Sequence, residues 1–312
     1  MAAPLLAAQP SDKARIAITL DLEMSAEYPA AGMTEWNFQK GNLDQSTKDY
    51  AVEAGKLVRE RGAVLHYFCV ARVLEQPDVT WLQGLAEAGH PIGNHTYDHV
   101  YVLAQTPEEV QFRFRRSPWL TAGETPAETI ERNIRLAAIA MKERAGIVEN
   151  GFRTPGGFAT GLNGRPDVQQ MLLGLGYTWV SSFYPPVTMP ERGMAPTEAT
   201  WQSLYEALPR AQPFVYPTGL VEVPMSPISD VNAFRSSKWK LDWFLEAIER
   251  AVTWSIEHRA VFDFLAHPSC LVVEDPEFRS IRKILDLVER AGNKAEIVGL
   301  DRIAAPFIKA NA

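Results

Sequence analysis

Two histidines four residues apart, in His95-Thr96-Tyr97-Asp98-His99, are the residues of this chain whose types and spacing point most directly to chemistry. A separation of four brings two imidazoles to one side of a helical turn, close enough to share an ion. Two histidines and one carboxylate, with open positions left for water, form a usual donor set for catalytic zinc. The pair is not a zincin motif, because Thr96 and not a glutamate follows His95. A carboxylate is offered by Asp21-Leu22-Glu23, where two acids stand at the end of an apolar run. One of them can join the metal while the other acts as base toward a water acidified by it.

Arg153, in Phe152-Arg153-Thr154-Pro155-Gly156-Gly157, can pair with one of those carboxylates and keep it ionised and oriented. The Pro and Gly residues after it suit a rigid turn with free backbone N–H groups, so Gly156 is a candidate oxyanion contact. His267 follows the apolar run Val261–Ala266 and can protonate a leaving amine or alcohol. Asp263 shares its strand face but, four residues back, lies about 13 Å away and is not expected to be its partner. Trp179 and Ser181 complete the set as weaker substrate-binding candidates. His66, His90 and His258 read as structural, His258 because a helix C-terminus favours its charge.

These residues need a scaffold that gathers them. An apolar strand over 14–20 ends at Asp21, and a polar loop with Pro29, Gly32, Gly41 and Asn42 follows. Helical spacing marks 46–61, closed by Gly62, then a strand over 63–70 and a helix over 79–88 closed by Gly89. A short strand over 91–93 delivers Asn94 and His95. The scheme repeats with a helix over 127–144, a strand ending at Arg153, a helix over 167–175 and strands over 177–181 and 220–223. It closes with a helix over 240–258, a strand over 260–266, a helix over 278–291 and a strand over 296–300. Alternation of this kind predicts an α/β fold built as a (β/α) barrel of seven or eight parallel strands. Asp21, His95, Arg153, Ser181 and His267 all fall at strand C-termini, which converge on one mouth in such a barrel. Two stretches, 100–124 and 183–219, break the rhythm and read as long loops walling the site.

Composition sets the limits. The chain has 312 residues, 46% hydrophobic and 22% charged, enough for a sizeable core. A net charge of -7 argues against a nucleic-acid partner. No apolar run approaches the ~20 residues of a membrane span. The two cysteines, Cys69 and Cys270, exclude a disulfide framework and read as free thiols. One domain over 14–312 follows a flexible tail over 1–13. The apolar, Ala-rich stretch 1–9 reads as the stub of an export signal or a frayed tail, which slightly favours a secreted or periplasmic location.

Taken together, the motifs resemble those of the polysaccharide deacetylases of carbohydrate esterase family 4. Thr19-Leu20-Asp21-Leu22-Glu23 looks like the family's first motif, His95–His99 its His-[Ser/Thr]-X-X-His motif, Arg153–Gly157 its Arg-X-Pro-X-Gly motif, and Leu265-Ala266-His267 its Leu-X-His motif. The resemblance implies a distorted (β/α) barrel and a divalent metal on Glu23, His95 and His99, with zinc the first choice and cobalt, nickel or iron fitting the same donors. It further implies Asp21 as base, Arg153 as its holder and His267 as general acid. The substrate implied is an N- or O-acetylated carbohydrate. The sequence departs from the family in three places. Its acids are separated by Leu22, as in a branch with certain peptidoglycan deacetylases and with allantoinase-like and cyclic-imide hydrolases. Gly156 replaces an aromatic, and Tyr177–Ser182 offers only serines where an Asp usually supports the acid histidine. Glu222 resembles a strand-end element of the separated-acid branch and has no role assigned to it. A cyclic-amide hydrolase, an iron oxygenase and a silent sugar-binding barrel are the alternatives, and the long loops leave room for a homo-oligomer.

Overall fold

In a computed structural model, residues 12–25 and 40–311 are described. Most of the tail expected over 1–13, with Pro29 and Gly32, lies outside them. The first strand, β1 (Ala14–Leu22), explains the fold through its alternation. Ile16, Ile18, Leu20 and Leu22 join the large core cluster beneath the outer helices. Ala17, Thr19 and Asp21 face the other way, into the concave side, where Ala17 packs with Phe68 and Trp179. One face is oil and the other becomes polar toward its C-terminal end.

Around β1 the sheet runs β6-β7-β5-β4-β3-β2-β1-β8, with β9 also on β1. The remaining strands are β2 (His66–Cys69), β3 (Ile92–Asn94), β4 (Phe152–Phe158), β5 (Trp179–Phe183), β6 (Phe214–Val215), β7 (Val221–Glu222), β8 (Val261–Ala266) and β9 (Ala295–Ile297). Only β6 pairs antiparallel, with β7, so the expected parallel series holds. β9 pairs with Ala14–Ile16 and β2 with Thr19–Leu22, sharing one edge of β1 in succession. The curled sheet forms a distorted half-barrel.

The helices are α1 (Gln45–Glu60), α2 (Thr80–Glu87), α3 (Pro107–Val110), α4 (Phe112–Arg116), α5 (Pro126–Ala145), α6 (Pro166–Gly174), α7 (Glu198–Ala207), α8 (Leu241–His258), α9 (Pro268–Glu274), α10 (Arg279–Ala291) and α11 (Leu300–Asn311). α5 begins with a capping box between Thr125 and Glu128 and ends at left-handed Gly146, so local chemistry sets both bounds. α11 was not expected. The strand predicted to reach Leu300 ends at Ile297, and Leu300 starts this helix, whose Leu300, Ile303 and Ala304 fill the concave side with Trp179 and Val221.

Other boundaries differ in ways that matter. β1 runs through Asp21 to Leu22, and β4 starts at Phe152 and continues to Phe158 with a register shift, so Arg153 is near its beginning. The stretch 100–124 contains α3, α4 and a 3-10 turn, and 183–219 contains α7 and β6, so neither is structureless. Pattern reading missed these elements because they are only two to ten residues long.

Below the site, His66 stacks on Phe68 with ring centroids 4.6 Å apart, and Trp179 meets both edge-on. His66 Nε2–H donates to Asn150 O at 3.0 Å and Nδ1 accepts from Leu300 N at 3.2 Å. Burial, aided by the charge of Arg153, pushes its pKa down to about 3. An unfolded imidazole takes up a proton near pH 6.5 that the folded one refuses until about 3, so stability falls as pH drops through that window. His66→Asn should therefore show a shallower loss of urea stability between pH 7 and 5 than the wild type; equal slopes would contradict it. Gly151, with φ +79°, sits so close to Trp179 that a Cβ would lie 1.9 Å from its ring. Gly151→Ala should cost about 2–4 kcal/mol in urea denaturation, from left-handed strain and overpacking together.

Candidate functional site

The two acids at the end of β1 lie on one face because they are two residues apart, and Glu23 N–H donates to Asp21 O at 3.0 Å to close a tight turn. Ser269 Oγ holds that turn by donating to Glu23 O at 2.9 Å while accepting from Ser25 N at 2.9 Å. Both carboxylates are almost fully buried.

Opposite them, His95 and His99 meet with ring centroids 5.1 Å apart. The expected helical turn is absent. Thr96 and His99 have φ values of 61° and 59°, so a left-handed loop brings the two rings together. Asn94 Oδ1 accepts from Thr96 N, and Asn133 Oδ1 accepts from Tyr97 N and Asp98 N, which hold this loop in place. Asp98 in turn bridges Arg72 at 3.5 Å and Arg113 at 2.6 Å.

Glu23, His95 and His99 each offer a donor atom within 4.8 Å of the others. Nδ1 of His95 donates to Arg153 O at 2.9 Å, which leaves the Nε2 lone pair facing Glu23 Oε2 at 3.6 Å and Asp21 Oδ2 at 3.8 Å. A lone pair aimed at carboxylate oxygens is repulsive unless a cation stands between them, and donors around zinc stand roughly 3.3 Å apart. Glu23 Oε2 is buried without a well-formed hydrogen bond and lies 2.6 Å from His99 Nε2. Burial pushes His99 down to about 4, so its ring is neutral and able to ligate. Burial works against the Glu23 carboxylate, yet His99, Lys40 and His95 outweigh it and hold its pKa well below the usual range. The residues fit a divalent ion.

Arg153 reaches Asp21 Oδ1 at 3.0 Å and Thr19 Oγ1 at 2.8 Å with Nη1, contacts Ser181 Oγ at 3.3 Å, and pairs with Asp263 through Nη2. Its guanidinium lies 4.3 Å from the centre of the Phe68 ring. Burial pushes Asp263 up to about 6 against the pull of Arg153. His267 brings Nε2 within 3.5 Å of Glu23 Oε1 and 4.0 Å of Asp21 Oδ2.

The missing support for His267 is found in a segment that carried no sequence signal. Asp230 accepts from His267 N at 2.8 Å and faces Nδ1 at 3.0 Å. Burial alone would lower the pKa of His267, but Asp230, Glu23 and Asp21 raise it above the ordinary value. Asp263, set aside as a partner for His267, serves Arg153. Lys40, also missed, pairs with Glu23. Glu222 gains a structural place, accepting from Ser182 N, Phe183 N, Ser182 Oγ and Tyr216 OH where β5 meets β7.

Of the weaker candidates, Ser181 is turned to Arg153 and Trp179 lies in the buried cluster with Phe68, so neither is brought to the mouth. Gly156 does reach open space. It lines a hollow of about 240 Å³ with His99, Tyr101, Gln111, Phe112 and Pro155. Cys69 and Cys270 are buried and form no disulfide with each other.

A half-barrel that gathers two histidines, two acids and an arginine in this way is suited to holding a divalent ion beside a carboxylate. Residues 37–178 match the family described as polysaccharide deacetylase. That match includes His95, His99 and Arg153. The fold is similar to a Mycobacterium smegmatis protein assigned as a polysaccharide deacetylase, with TM-score 0.64, 16% identity, and 97% of this chain and 93% of that one covered. A Pseudomonas aeruginosa PAO1 protein assigned likewise gives TM-score 0.62, 12% identity, and 96% and 93% coverage. The Puue allantoinase gives TM-score 0.60, 13% identity, and 95% and 91% coverage. No curated protein matches the chain.

Metal analysis after equilibration with zinc or cobalt should find about one ion per chain. His95→Ala and His99→Ala should each weaken that binding at least about 100-fold, since losing even an outer partner of a ligand costs 10–100-fold. Equal retention in the alanine variants would remove this donor set.

Proposed function

We propose that the protein is a hydrolase that removes acetyl groups from N- or O-acetylated carbohydrate, using a divalent metal on Glu23, His95 and His99. When bound, the ion supplies Lewis acidity toward the substrate carbonyl and lowers the pKa of a water. The observation that carries the reading is the division of Asp21. Its Oδ1 is held by Arg153 at 3.0 Å, while Oδ2 looks across the metal candidates toward His267 Nε2 at 4.0 Å.

Asp21 Oδ2 is thus a carboxylate oxygen kept for a water proton, with its orientation fixed from behind. His267 stands on the far side with Nδ1 committed to Asp230, which leaves Nε2–H to protonate the departing nitrogen or oxygen. One C–O bond forms, the C–N or C–O bond to the leaving group breaks, and acetate and a free amine or alcohol result. Tyr101 and Phe112 give the hollow beside His99 apolar walls that suit the faces of a sugar ring, with Gly156 at its edge.

A second reading has its own support. The acids separated by Leu22, and a fold similar to an allantoinase, favour opening of a cyclic amide by the same residues. Product analysis separates the two, because the first releases acetate and the second a single ring-opened acid. Acetate release from N- and O-acetylated glycans by the zinc- or cobalt-loaded protein is the expected result. Asp21→Asn should lower turnover by about 10²–10⁴ with metal content unchanged. Asp230→Asn should lower kcat by about 10²-fold, also with metal retained, because His267 loses its support. Full activity in Asp21→Asn would end both readings.

A further inference from the structure

The Glu23 carboxylate already has a cation. Lys40 Nζ contacts Glu23 Oε1, and both side chains are only 3% exposed. The lysine is fixed there by its own backbone, since Lys40 O accepts from Met24 N at 2.9 Å, directly after Glu23. The chain cannot easily draw back at this point, because a Cβ on the next residue, Gly41, would stand 2.7 Å from that of Arg72 and 3.2 Å from Val73 N. The two oxygens of Glu23 are therefore divided. Oε1 serves Lys40, and Oε2 faces His99 at 2.6 Å and His95 at 3.6 Å.

Resting on the metal reading above, we propose that Lys40 is a tethered cation that competes with the divalent ion for Glu23. Without metal, its ammonium helps, with His99 and with His267 at 3.5 Å, to offset a carboxylate buried beside Asp21. A divalent ion on Oε2 would share one carboxylate with that ammonium, and like charges so close repel strongly even at an effective dielectric of about 20. Loading then requires Lys40 to give up part of its hold, and the affinity observed is the intrinsic one reduced by the fraction of sites free of the lysine. The opposite role is also physically clear: a lysine that merely steadies Glu23 would strengthen metal binding, and its loss would weaken it.

The test is cobalt and zinc affinity, by cobalt absorption and competition with a chelator, in the wild type, Lys40→Met and Lys40→Gln. Both neutral variants should bind at least about tenfold tighter than the wild type. Their metal-free forms should melt lower, and metal should raise their Tm by more than it raises that of the wild type. Equal or weaker binding in a folded variant overturns the proposal and leaves the metal reading intact. Absence of binding in wild type and variants alike overturns both. Should the variants fail to fold, amine labelling of wild-type Lys40 followed by mass spectrometry decides: labelling that rises several-fold with saturating metal supports displacement, and unchanged labelling overturns it.

Discussion

The site depends on a guanidinium buried without any solvent contact. Arg153 is fully buried, and taking such a charge out of water costs several kcal/mol unless nearly every donor is matched. The chain meets that demand from four strands at once: Asp21 and Thr19 on β1, Ser181 on β5, Asp263 on β8, and the Phe68 face on β2. Since Arg153 on β4 and Ser181 on β5 come within reach of β1 and β8 only when the sheet curls, the ion cluster and the half-barrel require one another. Removing one member leaves a buried charge behind, which explains why chemistry and stability are hard to separate here.

Above this floor, positions are set by loops and not by strands. The sharp turn at Asp21–Glu23, clamped by Ser269, presents both acids, and the left-handed loop from Thr96 to His99 presents both imidazoles. Each loop is strained or tight, and each is locked by buried hydrogen bonds from an adjoining element. Asn133 on α5 does this for the histidine loop. Such over-determined loops give a donor set that is preorganised, as catalysis by positioning and charge requires.

Much of this was legible in the sequence. The helices and parallel strands follow from spacing, Gly stops and apolar runs, and the residues that converge were found because strand ends share a mouth. What escaped has a common physical character. Asp230 starts a short π-helix over Val231–Ser236 and reaches His267 across 37 residues of sequence, and Lys40 closes a polar stretch with no period. Asp263 looked misplaced because distance was counted along its own strand, whereas its partner stands across the sheet. Pairing partners supplied by tertiary structure leave no local pattern. The histidine pair shows the converse, since a spacing of four was correct in outcome while the helical turn that justified it was absent. A spacing constrains which residues can meet, and the backbone has more than one way to bring that about.

The two tiers also divide the electrostatic labour. The lower tier pairs Arg153 with Asp21 and Asp263 through direct contacts that involve none of the Glu23, His95 and His99 side chains, while the carbonyl of Arg153 orients His95. The upper tier gathers Glu23, His95, His99, Lys40 and His267, where the Glu23 carboxylate has the other four within 4.0 Å. The orientation of Asp21 is thus held from below, by Arg153 on Oδ1. Exchange of cations above can change affinity and the field at the mouth while Asp21 keeps its place. The carbonyl of Arg153 links the tiers by a hydrogen bond, because the residue that orients Asp21 also fixes the tautomer of His95.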